Sequence, residues 1–278
     1  MFVSAEAPQS RYIQPITFNE RCYVRSLGSR TVVGCWLRRN TSDTWSVSEM
    51  LTPNDQQRLL HTSAGEFPLH EYRLRLAGRA WTILHTGALL TYEDEVHFFR
   101  ELKDRLPYGV ALWPAAIALA HDIASRAQAF RGKRVLELGA GTGLPGIVAA
   151  SLGARVIQTD RHDLALSLCE RNGQRNGVKT IEYRLADWTN WNDSTRYDWI
   201  LGSDILYGET QHPHLRRIFE SNLTQEGRIL LSDPFRNVSL RLLEALESNG
   251  WTIALSKWSV GEEIAPRPIG LFELTLLR

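Results

Sequence analysis

The stretch Arg134 to Asp160, RVLELGAGTGLPGIVAASLGARVIQTD, constrains the chain more than any other. An apolar run, RVLEL, breaks at Gly139, Gly141 and Gly143; a small-residue helical segment follows, and a second run, RVIQTD, ends in an acid. A strand that passes through glycines into a helix and returns beside itself is a β-α-β unit, with the two strands parallel and the crossover right-handed. The alternation continues on both sides. EDEVHFFRELKDRL reads as a helix stopped before Pro107. WPAAIALAHDIASRAQ sets Trp113, Ala116, Ile117, Ala120 and Ala124 on one stripe, with Pro114 suited to a first helical position. Further strands (TIEYRLA, YDWILGSD, GRILLSD) are separated by helical segments, which predicts a mostly parallel α/β sheet. The last two strands, GWTIALSKW and LFELTLL, have no helix between them and are expected to pair antiparallel. Residues 1–90 differ in texture: CYVRSL and TVVGCWLRR are strand-like, and EYRLRLAGRAWTILHT reads as a hairpin turning at Ala77-Gly78-Arg79. The expected organisation is a β-rich appendage over 1–90 and an α/β domain over 91–278.

The glycine turn admits two registers. GTGLPG (Gly141 to Gly146) matches the dinucleotide pattern G-x-G-x-x-G, but that pattern starts directly after the first strand. Counted from Gly139, its third glycine position holds Leu144, so the match is out of register. GAGTG (Gly139 to Gly143) fits the loop of methyltransferases, with Glu137 two residues before the first glycine. Backbone at Gly139 and Gly141, on either side of Ala140, can approach a bulky ligand because no Cβ intervenes. A carboxylate at Glu137 suits the positive amino end of S-adenosylmethionine, directly or through water, and would repel a pyrophosphate. Asp160 ends the second strand 19 residues after Gly141, where an acid accepts both ribose hydroxyls; its alternative role is to cap the next helix. Asp187 and Trp188 end the third strand, where one can take an adenine amine and the other can flank the ring; the alternative is a surface carboxylate beside a core indole. Trp113 can close the same pocket or belong to the core.

Charge nearly cancels, at +1, which leaves no global footprint for nucleic acid or an anionic membrane. Cys22, Cys35 and Cys169 are scattered with no C-x-x-C pair, so neither a disulfide scaffold nor a zinc site is expected. His212-Pro213-His214 reads as a helix start, His162 as solvent-facing and Cys169 as core. The opening residues lack the apolar run of a signal peptide, and no apolar stretch reaches the roughly 18 residues that span a bilayer. A cytoplasmic monomer without a membrane segment or a metal is the expectation.

Four stretches, GVALWPAAIALA (109–120), VLELGAGTGLPGIVAASLGARV (135–156), LADW (185–188) and ILGSDILY (200–207), give the chain its likeness to a known group. It resembles the seven-β-strand protein-lysine methyltransferases, which modify chaperones and other non-histone proteins, and the related enzymes acting on the electron-transfer flavoprotein β-subunit. The resemblance covers about residues 90–278. It implies a Rossmann-like seven-stranded sheet of order 3-2-1-4-5-7-6 with the last strand antiparallel. It implies S-adenosylmethionine contacts at Trp113, Gly139 to Gly141, Asp160, Trp188 and Ser203. It also implies that Asp204 and Tyr207 form an acid-x-x-aromatic signature at the mouth of the site. The chain departs from many chaperone-modifying members at Pro114, where they have an acid, and its first 90 residues have no counterpart there. Asp233-Pro234-Phe235-Arg236 is similar to a D-P-x-R stretch of the flavoprotein-modifying members.

The strand YDWILGSD delivers Asp204 to the carboxyl edge of the sheet, next to a bound methyl donor. There Asp204 can dock a lysine ammonium and orient the amine after proton loss, while Tyr207 walls the channel. Their alternative roles are a helix N-cap and a half-buried aromatic at a strand end. Nucleic-acid amino-methyltransferases carry an Asn or Asp followed by Pro-Pro and an aromatic after the fourth strand, and Asp204-Ile205-Leu206-Tyr207 has no proline. A protein lysine is the expected acceptor. A small-molecule amine, or a non-catalytic module that binds the cofactor, are the other readings.

Overall fold

The computed structural model describes residues 11–12, 59–261 and 266–276. A two-residue strand β1 (Arg11–Tyr12) is followed by two hairpins, β2 (Leu59–Thr62) with β3 (Gly65–Pro68) and β4 (His70–Leu76) with β5 (Arg79–His85). Helices α1 (Tyr92–Glu101), α2 (Pro114–Ser125) and the short α3 (Ala127–Phe130) come next. Strand and helix then alternate: β6 (Arg134–Leu138), α4 (Leu144–Ser151), β7 (Arg155–Asp160), α5 (Asp163–Arg175), β8 (Ile181–Leu185) and β9 (Tyr197–Ser203). The chain continues through α6 (His212–Asn222), β10 (Leu223–Asp233), α7 (Asn237–Glu247), β11 (Trp251–Val260) and β12 (Arg267–Leu276). The expected strand runs CYVRSL and TVVGCWLRR lie outside the described residues.

The large sheet runs β8-β7-β6-β9-β10-β12-β11, with β1 added beyond β11. Counted from β6 as the first strand, that is the order 3-2-1-4-5-7-6. All its neighbours are parallel except β12, which is antiparallel to both β10 and β11. β6 is central and buried from its second residue to its last, as a strand covered on both faces must be. One apolar cluster packs α2 and α4 on one face through Ile117, Leu119, Ile147 and Val148. The other packs α6 and α7 on the opposite face through Leu215, Phe219, Leu242 and Leu246.

The expected stripe on α2 is wider than predicted, because every residue from Pro114 to Ala120 is buried. The sheet covers one side of the helix, and the β4–β5 hairpin shares its cluster through Leu74, Leu76, Trp81 and Ile83. A helix that is apolar all round is a buried one. The hairpin turns at Ala77-Gly78, both with positive φ (46° and 82°), the pairing whose twist suits a two-residue turn. The helix expected up to Pro107 ends at Glu101 instead. There the amides of Leu102 and Lys103 converge on the Phe98 carbonyl, and the chain tightens into turns that bury Leu106 beside Leu60 and Phe67.

Candidate active site

Because the strands are parallel, their carboxyl ends deliver the glycine loop, Asp160, Asp187, Ser203 and Asp204 to one edge. They line a cleft of about 770 Å³, within the range of sites that hold a nucleoside-sized ligand. Gly139 (φ 61°) and Gly141 (φ 57°) are left-handed, and both are tightly faced. A Cβ on Gly139 would lie 2.9 Å from Ile205 Cγ2 and 3.4 Å from the Trp188 ring. A Cβ on Gly141 would lie 3.1 Å from the carbonyl oxygen of Gly109, whose own backbone rests against the loop.

Asp160 is 6% exposed. Its Oδ2 accepts from Gly141 N at 3.1 Å and its Oδ1 from His162 N at 3.0 Å. Burial raises its pKa and these amides oppose the rise. The N-cap position of α5 is His162, whose side chain makes no capping bond, so Asp160 is not the cap residue and its carboxylate lines the cleft. His162 is exposed and Cys169 buried, as expected. Asp187 is exposed; its Oδ1 accepts from Thr189 N at 2.9 Å and Thr189 Oγ1 at 2.8 Å, which depresses its pKa. Trp188, half-buried, stands beside the glycine loop, and Trp113 and Ser203 line the cleft.

Glu137 stands apart from the other expected site residues. It is 0% exposed and does not line the cleft. Its Oε2 accepts from Gly146 N at 3.1 Å and Gln158 Nε2 at 2.6 Å, behind the loop. Gly146 is the third residue of α4, whose N-cap, Gly143, has no side chain to offer. Glu137 therefore caps α4 from β6, the strand that leads into it.

Asp204 follows β9 in the left-handed region (φ 57°), a conformation Asp tolerates better than most residues, and its amide donates to Ser232 O at 2.8 Å. It caps no helix, since α6 starts eight residues later, at His212. Its side chain is 7% exposed, and Oδ1 pairs with Arg236 Nη1. Arg236 also reaches Asp233 Oδ2 at 3.3 Å. Burial pushes the Asp204 carboxyl up to about 6, against the pull of Arg236, and the charges of Asp233 and Glu95 add to the rise. Three carboxylates thus face one guanidinium, with Glu95 also paired to Arg267.

The mouth is open and aromatic. Tyr207 is 51% exposed and sits 6.2 Å, edge-on, from Tyr108. Tyr108 meets Phe99 at 5.7 Å and Trp113 at 6.4 Å in the same edge-on manner. Phe99, Tyr108, Glu95 and the ion-pair role of Arg236 were not singled out in the sequence. The D-P-x-R stretch did mark Arg236, and Tyr108-Gly109 opens the GVALWPAA segment. His212-Pro213-His214 starts α6, with His212 Nε2 at 2.9 Å from Leu206 O. Among the described residues no group of three or more His, Cys, Asp and Glu is placed to hold a metal ion.

A sheet of this order with a glycine-floored cleft at its carboxyl edge defines a Rossmann-like methyltransferase. The chain belongs to the lysine methyltransferase family, whose model matches residues 92–247. It is 41% identical over 141 residues to the protein N-lysine methyltransferase METTL21A of Xenopus tropicalis, covering 48% of this chain and 65% of that one. It is 34% identical over 194 residues to METTL21A of Danio rerio, covering 66% and 78%. Over 106 residues it is 36% identical to the histone-arginine methyltransferase METTL23 of Mus musculus, covering 36% and 42%. The chain thus spans just under two thirds of the frog relative's length.

The residues present fit S-adenosylmethionine: two glycines that leave no room for a Cβ, a buried acid at the second strand end, and an indole against the loop. Gly141→Ala should weaken S-adenosylhomocysteine binding about tenfold or more, because a Cβ would meet the Gly109 carbonyl oxygen at 3.1 Å and push the loop out of its place beside the cleft. Calorimetric titration tests this, and wild-type affinity in the variant would remove the loop from the cofactor site.

Proposed function

We propose that the protein transfers a methyl group from S-adenosylmethionine to the ε-amine of a lysine in a protein substrate. When bound, the cofactor supplies an electrophilic methyl on a sulfonium. Gly139 to Gly141 would lie against it, Asp160 would accept hydrogen bonds from its ribose hydroxyls, Trp188 would flank the adenine and Asp187 would accept from its amine. Trp113 and Ser203 close the cleft. The observation that carries the acceptor assignment is Asp204, a nearly buried carboxylate beside the cleft, held on Oδ1 by Arg236. Its other oxygen is left to take an incoming ammonium. Tyr207, Tyr108 and Phe99 wall an entry that a long aliphatic side chain can thread, and aromatic faces favour its cationic end. The open mouth supports a macromolecular acceptor over an enclosed small amine. We further propose a cytoplasmic protein that acts as a monomer.

A second reading, transfer to an arginine, is favoured by the likeness to the mouse histone-arginine methyltransferase. The test is transfer from tritiated S-adenosylmethionine into a lysate of the source cell, with Asp204→Ala alongside. The expected result is a discrete labelled protein band, absent with the variant, whose hydrolysate carries the label on methyl-lysine. Label on methyl-arginine supports the second reading, and label confined to the small-molecule fraction overturns both.

A further inference from the structure

Helix α5 presents Asn172 and Asn176, one turn apart, to the edge of β5. Asn172 Oδ1 accepts from Leu84 N at 2.7 Å, and its Nδ2 donates to Leu84 O at 3.1 Å. Asn176 repeats the pattern on Thr82, accepting from its amide at 3.0 Å and donating to its carbonyl at 2.8 Å. A helix rises about 6 Å over four residues and a strand about 6.6 Å over two, so the two periods match. The asparagine face stands in for a neighbouring strand and satisfies an edge that would otherwise need one.

Only Asn172 goes on to the glycine loop; the other Nδ2 hydrogen of Asn176 stays within the helix, on Asn172 O at 2.8 Å. Asn172 Nδ2 also donates to Thr142 O at 2.9 Å, inside the glycine loop. Three residues earlier on the same helix, Cys169 donates its thiol hydrogen to Gly141 O at 3.0 Å. Two consecutive loop carbonyls are therefore tied down to α5. Asn172 is 0% exposed and has two N–H donors, one spent on the hairpin and one on the loop. The Leu84 amide facing Oδ1 fixes which way the amide plane lies, and so guarantees that an N–H, not an oxygen, reaches Thr142.

We infer that Asn172 is a positioning residue for the glycine loop, and that the β4–β5 hairpin, outside the 92–247 family match, sets cofactor affinity by holding Asn172 in register. This rests on the reading that the loop carries S-adenosylmethionine. Coupling between two sites is reciprocal, so saturating S-adenosylhomocysteine should slow hydrogen exchange at the Leu84 amide of the wild-type protein at least about threefold. Asn172→Ala strands the Thr142 carbonyl and should weaken S-adenosylhomocysteine binding about tenfold. Asn176→Ala removes an equal pair of hairpin bonds and one bond within the helix, spares the loop, and should bind within about twofold of wild type. Equal affinities in the two variants, or unchanged exchange at Leu84 on binding, overturn the inference. The exchange measurement needs no variant, so it decides even where Asn172→Ala does not fold. Failure of the wild-type protein to bind S-adenosylhomocysteine sinks the cofactor reading itself, whereas binding without coupling sinks only the role of Asn172.

Discussion

Asp204→Asn should lower methyl transfer to a lysine about a thousandfold while S-adenosylhomocysteine binds within about twofold of wild type. Asparagine keeps the shape and tolerates the left-handed backbone at this position, so the local fold survives. What is lost is the charge. A lysine at neutral pH must first give up its proton, which costs about 4.6 kcal/mol because an unperturbed lysine titrates near 10.4. As the methyl moves, positive charge passes from sulfur to the attacking nitrogen. A carboxylate beside that nitrogen stabilises the charge as it develops, in surroundings where burial strengthens the interaction. On the proposed reading it also docks the ammonium before the proton leaves. The pH profile separates these effects from simple misfolding. With the Asp204 carboxyl at about 6, the charge is present above that value and lost as pH falls through it. Amine deprotonation alone gives log(kcat/KM) a slope of about one against pH, and ionisation of Asp204 adds a second unit below about 6. The Asn variant should show the single slope throughout. A variant that keeps more than a tenth of the activity, or a wild-type profile with no extra limb near 6, would remove Asp204 from the chemistry.

The parts of this fold that were legible from residues alone are those whose signal is local. RVLEL and its glycines sit within ten residues, and the absence of a helix between GWTIALSKW and LFELTLL was enough to reverse β12. The site was legible where strand ends carry it, because parallel strands bring their last residues together whatever lies between. Arg236 acts on Asp204 from 32 positions away, and its partnership depends on the turn after β10. Phe99 reads as one apolar residue of an amphipathic helix, and only the packing of α1 on Tyr108 makes it part of a channel. Asn172 looks like a surface residue in NGQRN, since nothing local shows that a strand 88 residues earlier covers it. The place of Glu137 behind the loop was not legible for a different reason. An acid two residues before a glycine loop is near the ligand in sequence, but alternate residues of a strand face opposite ways, and this one faces α4.

That placement makes Glu137 a measurable liability. Its Oε1 and the Oε1 of Gln158 are both buried without a partner. Burial pushes the Glu137 carboxyl up to about 8, beyond what the Gln158 and Gly146 hydrogen bonds pull back, and the charge of Asp160 adds to the rise. The folded protein therefore holds a proton that the unfolded chain releases near 4.5. A carboxyl whose pKa is raised by folding contributes stability that is complete below the unfolded value and is lost as pH rises to the folded one. Within that window each pH unit removes about 1.4 kcal/mol. Glu137→Gln keeps an oxygen for Gly146 N, carries no titrating proton, and puts N–H donors where Oε1 lacks a partner. The variant should be less stable than wild type, or equal to it, near pH 5 and more stable by about 2 kcal/mol or more at pH 8. Asp160 and Asp204 also have raised pKa values, and those of His85 and His121 are lowered to about 4, so both proteins will show other pH trends. The difference between their urea midpoints across pH 5 to 8.5 isolates Glu137. Parallel curves would mean that the carboxylate stays ionised in the folded state, and that its unpartnered oxygen is satisfied by something other than its own proton.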